Sequence, residues 1–171
     1  NSAERIAMES ELRHAVERDE LFLQFQPCVD AATLKTIGVE ALVRWNSPQG
    51  MISPADFIPL AEDTGLIVPI GTWVLREACK HVQGWMTQGA APVTLSVNVS
   101  PIQFAEPDFV RHVFNALEAT GFAAKRLQLE VTEGLLLDPT PDSLRKMDAL
   151  VDAGVRLAVD DFGMGYSSLA Y

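Results

Sequence analysis

The feature that most constrains the fold of this chain is the alternation of short apolar segments with longer amphipathic segments. Short segments rich in valine and leucine that alternate with helical patterns indicate parallel strands buried between helices. The alternation fits a closed (β/α)8 barrel and also an open, doubly wound sheet. No GxGxxG or GxxxxGK loop follows a strand, which removes the usual nucleotide-fold support for the open sheet. Five strands are predicted, at Leu21–Phe25, Thr33–Trp45, Val93–Val99, Leu127–Thr132 and Val155–Asp160.

The helical segments carry start and stop signals. Ser53 can cap a helix that begins at Pro54 and ends before Gly65. Helices are predicted at Ser2–Arg18, from Ser53 to just before Gly65, and at Pro69–Gln88, Asp108–Thr120 and Ser143–Ala153. In the longest of these, periodicity predicts a shared face formed by Ile70, Trp73, Val74, Glu77, Ala78, His81, Val82 and Trp85.

Charge and cysteine content exclude several classes of protein. The chain has 171 residues and a net charge of −10, from 13 basic and 23 acidic residues, which argues against a general nucleic-acid binder. The negative charge does not exclude a small phosphate-bearing ligand, because bound divalent cations can reverse the local electrostatic field. Cys28 and Cys79 form no CxxC pair, so we expect two reduced, mostly buried thiols in a cytosolic protein. No apolar run approaches the length of a membrane span.

Polar residues recur near the ends of successive predicted strands. They are Glu40, Asn98, Glu130 and Asp160, with Asp161 directly after. In a parallel barrel these strand ends converge on one rim, where carboxylate and amide oxygens suit Mg²⁺, Mn²⁺ or Ca²⁺. Two cations there would suit phosphodiester hydrolysis. Periodicity alone leaves a second interpretation open, in which these are solvated strand ends and turn residues.

A set of motifs in a fixed order gives a more specific indication. Glu40-Ala41-Leu42 is followed by Val43-Arg44-Trp45, and Gln26-Pro27 precedes it. The other motifs are SPADFIP at 53–59, AEDTG at 61–65, SVNVS at 96–100, EVTE at 130–133 and DDFGMGYSSL at 160–169. As a set, these motifs resemble the EAL domain family, and the resemblance covers nearly the whole chain.

The resemblance implies a modified (β/α)8 barrel that hydrolyses cyclic di-GMP to linear pGpG with Mg²⁺ or Mn²⁺, using two ions. By motif position, the metal ligands would be Glu40, Asn98, Glu130, Asp160 and Asp161, of which Glu40, Asp160 and Asp161 are also assigned as catalytic. Gln26, Leu42 and Arg44 would contact the substrate, and a guanidinium suits a phosphate. Glu133 would support the loop Phe162–Leu169, which in the family couples metal and ligand binding to dimerisation.

The resemblance also predicts the domain organisation. Residues 1–18 would form a connector helix, and residues 19–171 an EAL domain that is incomplete at its C-terminus, with about the first five strands. The family's Lys-Ile-Asp strand and later metal-binding glutamate would follow, so we expect residues 1–171 alone to be inactive. Expected partners are cyclic di-GMP, a second copy of the chain and an upstream GGDEF or sensory module, in a cytoplasmic protein whose parent could be tethered to a membrane.

Two other functions stay open on the sequence. A degenerate EAL domain would bind cyclic di-GMP as a non-catalytic sensor, and a scaffold would act through dimerisation alone. Degenerate members usually lose acids at the rim, and this chain keeps them at the motif positions that it contains. The sequence therefore favours the enzyme.

Overall fold

The computed structural model describes residues 1–160 of the chain, which form helices around one mixed sheet. The strands are β1 Leu21–Val29, β2 Thr36–Ser47, β3 Gly50–Ile52, β4 Thr94–Asn98, β5 Leu127–Val131 and β6 Arg156–Val159. The helices are α1 Ser2–Arg13, α2 Pro54–Thr64, α3 Ile67–Thr87, α4 Pro101–Ala105, α5 Phe109–Thr120, α6 Glu133–Leu137 and α7 Pro141–Asp152, with a 3-10 turn at Ala124–Arg126.

The sheet is parallel over most of its width, as predicted. Its order is β1-β2-β4-β5-β6, with β3 paired to β2, and the pairs β2–β4, β4–β5 and β5–β6 are parallel. The prediction was wrong at the start of the chain, where β1 runs antiparallel to β2. A short turn joins the two strands, and the Asp30 N–H donates a hydrogen bond to the Lys35 carbonyl across it at 2.9 Å. Such a connection is too short for a parallel crossover.

Two strands continue beyond their predicted ends. β1 does not end at Phe25 but continues through Gln26-Pro27 to Val29. Within residues 1–160 its sheet neighbour is β2 alone, and a strand paired on one side tolerates the missing N–H of Pro27. β2 passes Trp45 and forms a hairpin with β3, a three-residue strand that the sequence pattern did not reveal.

The helices begin and end largely where the sequence signals lie. Ser53 caps α2 by accepting a hydrogen bond from the Ala55 N–H, and Gly65 ends that helix with φ of +80°. The first helix is shorter than predicted, because it ends at Arg13 and the chain then turns through Asp19, which has φ of +55°. No single helix within residues 1–160 is long and apolar enough to cross a membrane, and α2 and α3 meet that test only as a pair bent by 120°.

The core lies between the helices and one face of the sheet. Alternate residues of β2, β4 and β5 on this face are buried, namely Val39, Ala41, Val43, Leu95, Val97, Leu127 and Leu129. The buried residues of α3 are Ile67, Ile70, Gly71, Val74, Leu75, Ala78, Cys79 and Val82. On the predicted α3 face, Trp73 is partly buried and packs against the core, and Glu77 is half-buried. His81 and Trp85 are exposed. His81 and Trp85 lie at the margin of the helix, where their rings contact Phe25 of β1.

The two cysteines differ in environment. Cys79 is buried on α3, and burial raises the pKa of its thiol to about 12, so the thiolate is scarce at neutral pH. Cys28 is exposed, contrary to the prediction of two buried thiols. It lies opposite Gly38, next to the turn that joins β1 and β2.

Two glycines of α3 give a matched test of the packing between α3 and α4. A Cβ at Gly71 would collide with the Gln103 side chain, which is 2% exposed and has little room to move. We expect Gly71→Ala to destabilise the fold by about 1–3 kcal/mol. Nothing lies within 4 Å of a Cβ at Gly84, so Gly84→Ala should be neutral or stabilising by up to about 1 kcal/mol. Denaturant unfolding of both variants checks this, and equal effects would contradict the described packing.

Candidate active site on the polar face of the sheet

The face of the sheet that lies opposite the helix-covered core carries polar side chains. Residues opposite one another in a ladder point to the same side. Glu40 is paired with Gln26 of β1 and with Ser96 of β4, and Asn98 is paired with Glu130 of β5. We call this side the polar face; its members include Gln24, Gln26, Glu40, Leu42, Arg44, Ser96, Asn98, Gln128 and Glu130.

Glu40 and Asn98 are in direct contact on the polar face. The Asn98 Nδ2 donates a hydrogen bond to the Glu40 Oε2 at 3.2 Å, across the β2–β4 pair. Asn98 is the last residue of β4 and is 8% exposed. The prediction that Glu40 lies near the end of its strand was wrong, because β2 continues to Ser47. Its parallel pairing with β4 ends at Ala41, so Glu40 still lies near the carboxyl end of the parallel segment.

Glu130 and Asp160 continue this series across the sheet. Glu130 is opposite Asn98, and its carbonyl accepts the Val99 N–H at 2.9 Å. The Asp160 N–H donates to the Val131 carbonyl at 2.9 Å, which fixes the residue directly after β6. Three neighbouring parallel strands thus bring an amide or a carboxylate to the same edge. Asp161 and the loop Phe162–Leu169 lie outside the described residues.

The residues assigned to substrate contact share the polar face. Arg44 is half-buried, and its Nε donates to the Gln24 Oε1 at 3.0 Å while a terminal nitrogen donates to the Val43 carbonyl at 2.9 Å. Leu42 lies between Arg44 and Glu40 on the same side of β2, and Gln26 is exposed opposite Glu40. Gln24 could not be recognised from the sequence, because one glutamine in an apolar strand carries no distinctive signal.

Glu133 lies apart from the strand positions. It is the first residue of α6, a five-residue helix that the sequence analysis missed, and it is half-buried. An acid at the first turn of a helix interacts favourably with the backbone N–H groups there. Its assigned role toward the loop Phe162–Leu169 stays a prediction, since that loop lies outside the described residues.

A buried contact just after Asn98 was not predicted from the sequence. The Ser100 hydroxyl donates to the Glu62 Oε2 at 2.7 Å and accepts the Ile102 N–H at 3.2 Å, so that it caps α4. Ser100 is fully buried, and Glu62 reaches it from α2. Glu62 lies within the AEDTG motif, and that membership was the available signal for it.

The other end of α4 is held by a buried lysine. Lys146 of α7 is 6% exposed, and its Nζ donates to the Phe104 carbonyl at 2.8 Å. The same nitrogen lies 3.0 Å from the Asp142 carboxylate. The hydrogen bond from Lys146 lowers the pKa of Asp142 from its ordinary value. Both ends of α4 are therefore tied to other helices.

The donor set of the polar face is chemically uniform. Glu40, Asn98, Glu130 and Asp160 offer oxygen atoms, the donors that hard divalent cations prefer. Within residues 1–160 no group of three or more His, Cys, Asp and Glu side chains is gathered closely enough to hold a metal ion. The Asn98 amide adds an oxygen donor beside Glu40. The observed arrangement is a row of oxygen donors across neighbouring strands, with Glu40 and Asn98 in contact. Arg44 lies on the same side of β2 as Glu40.

Known proteins have similar sequences. MucR from Pseudomonas aeruginosa, a bifunctional diguanylate cyclase and cyclic di-GMP phosphodiesterase, is 46% identical over 172 residues, which cover 100% of this chain and 25% of MucR. The oxygen sensor protein DosP from Escherichia coli is 38% identical, over 98% of this chain and 21% of DosP. The chain thus spans about a quarter of the length of these curated relatives.

Solved structures match the fold. The PaMucR phosphodiesterase in complex with c-di-GMP superimposes with a TM-score of 0.87 at 45% identity, over 94% of this chain and 65% of that one. The EAL enzyme Bd1971, bound to cAMP and cyclic di-GMP, gives a TM-score of 0.86 at 30% identity, over 98% of this chain and 47% of that one. These matches confirm the predicted fold class, and the EAL domain model matches residues 9–171. The chain belongs to the EAL domain family.

Proposed function

We propose that the protein hydrolyses cyclic di-GMP to linear pGpG and that the polar face is its active site. The contact between Glu40 and Asn98 carries the proposal, because it brings two oxygen-bearing residues of separate motifs together. Glu130 extends the series on the next strand and Asp160 follows the strand after that. The similarity to MucR supports cyclic di-GMP as the substrate, since MucR is a cyclic di-GMP phosphodiesterase.

The residues present fit divalent cations. Glu40, Asn98, Glu130 and Asp160, joined by Asp161, would hold Mg²⁺ or Mn²⁺, because their donors are hard oxygens. Two such ions would neutralise charge on the phosphodiester and make a water molecule more acidic. The negative net charge of the chain favours recruitment of cations at such a face.

Three residues of this chain would bind and orient the dinucleotide. Arg44 would donate charged hydrogen bonds to a phosphate, and its bond to Gln24 holds the guanidinium on the polar face. Gln26 would donate to a polar edge of the substrate from its exposed position opposite Glu40. Leu42, which lies between Arg44 and Glu40 on the polar face, would make an apolar contact with the substrate. Glu133 would support the loop Phe162–Leu169.

The proposed partners follow from the relatives. MucR combines a cyclase with a phosphodiesterase, and this chain covers 25% of it, so an upstream GGDEF or sensory module would regulate the protein. A second copy of the chain would form a homodimer, and the protein would act in the cytoplasm. These assignments rest on the family and on no contact within residues 1–160.

Product analysis tests the proposed reaction. The intact protein, incubated with cyclic di-GMP and Mn²⁺, should release linear pGpG, which is heavier than the substrate by one water molecule. Chromatography with mass detection follows both species. If cyclic di-GMP binds but stays cyclic through long incubation, the protein is the non-catalytic sensor of the alternative proposal.

A further inference from the structure

Glu62 of α2 makes a hydrogen bond to a buried residue that is distant in the sequence. Its carboxylate accepts the hydroxyl hydrogen of Ser100 across 38 positions of the chain, at 2.7 Å. Ser100 is fully buried, while its neighbour on the same helix, Asp63, pairs with Arg5 of α1 with both side chains exposed. A carboxylate bond to a buried hydroxyl is among the stronger hydrogen bonds in proteins.

Ser100 lies two residues after Asn98 and fixes the backbone there. The Val99 N–H is held by the Glu130 carbonyl at 2.9 Å, so the chain leaves β4 along the edge of β5. The Ser100 side chain then caps α4 through the Ile102 N–H. The direction in which the chain leaves Asn98 is therefore set by two bonds, one to the sheet and one to Glu62.

The rest of α4 is already fixed without Glu62. Lys146 holds the Phe104 carbonyl at the far end of the helix, and Gln103 packs against Gly71 of α3. Loss of the Glu62 contact would free the Asn98 end of this segment, while the far end stays in place. The contact therefore acts on a short stretch that includes a proposed metal ligand.

We propose that Glu62 is a positioning residue, which acts through Ser100 to hold the Asn98 amide at the proposed cation site. This inference rests on the proposed function. Groups that orient a metal ligand through hydrogen bonds typically change metal affinity or activity by about 10–100-fold when removed. Glu62 itself bonds to Ser100 and would touch neither substrate nor metal.

Calorimetric titration of Mn²⁺ into the metal-free intact protein tests the proposal without turnover. Glu62→Ala should weaken Mn²⁺ binding by about 10–100-fold. Ser100→Gly should do the same, because glycine at a helix N-cap costs only a few tenths of a kcal/mol of helix stability while the hydroxyl is lost. Glu62→Gln keeps an acceptor oxygen for the Ser100 hydroxyl, so the Mn²⁺ affinity of this variant should be close to that of the wild type. Asp63→Ala, the matched control, should leave Mn²⁺ affinity unchanged.

The double variant separates positioning from general destabilisation. If Glu62 acts through Ser100, Glu62→Ala should weaken Mn²⁺ binding no further in the Ser100→Gly background. Wild-type Mn²⁺ affinity in Glu62→Ala or in Ser100→Gly, whatever its melting temperature, would overturn the proposal. If the wild type binds no Mn²⁺ and does not cleave cyclic di-GMP, the proposed function fails as well, and that result is distinct because it appears before any substitution.

Discussion

Glu40→Ala is expected to lower cyclic di-GMP turnover by more than about 100-fold, since residues that only orient a metal ligand already contribute about 10–100-fold. Glu40 lies on the polar face, half-buried, and accepts a hydrogen bond from Asn98. Its loss would remove one direct oxygen donor and release the Asn98 amide that it holds. Two of the proposed ligands are therefore disturbed by one substitution.

The fold should survive this substitution. One hydrogen bond to a charged group contributes about 1.5–3 kcal/mol, which is less than the usual stability of a domain. Glu40→Gln keeps an acceptor for Asn98 and removes only the charge, so it should be as inactive as Glu40→Ala but closer to the wild type in melting temperature. Glu118→Ala, at an exposed position of α5, is the control for loss of a carboxylate. Turnover near the wild-type rate in Glu40→Gln would show that the charge of Glu40 is not needed.

The sequence predicted the elements whose signals are local. Ser53, Pro54 and Gly65 bound α2 where expected, because a cap and a left-handed stop act over a few residues. Side chains alternate along a strand, so the two-residue spacing of Glu40, Leu42 and Arg44 places them on one side of β2, as the register shows. Short elements were not predicted, because β3 has three residues and α4 has five, which are too few to show a periodic hydrophobic pattern.

What could not be predicted depends on tertiary context. β1 can continue through Pro27 because, within the described residues, it pairs with β2 on one side only. No local sequence pattern shows how many neighbours a strand has. The contacts Arg44–Gln24 and Glu62–Ser100 join residues 20 and 38 positions apart. The order of the motifs identified Glu40 and Asn98 as candidates, but their hydrogen bond follows from the parallel register of β2 and β4.

Removal of divalent cations is expected to abolish turnover of cyclic di-GMP by the intact protein. The donors of the polar face are carboxylates and an amide, with Arg44 as the neighbouring cation. Carboxylates that are brought together at one site repel one another unless cations lie between them. Without cations the face would also repel the phosphates of the substrate, so both binding and hydrolysis should fail.

The most direct measurement is the rate of cyclic di-GMP cleavage by the intact protein after exhaustive chelation and again after Mn²⁺ is restored. We expect no cleavage above background in chelator and recovery of the full rate with Mn²⁺. Glu40→Ala should fail to recover under the same conditions. Full turnover in chelator would contradict the central claim that the polar face works as a divalent-cation site.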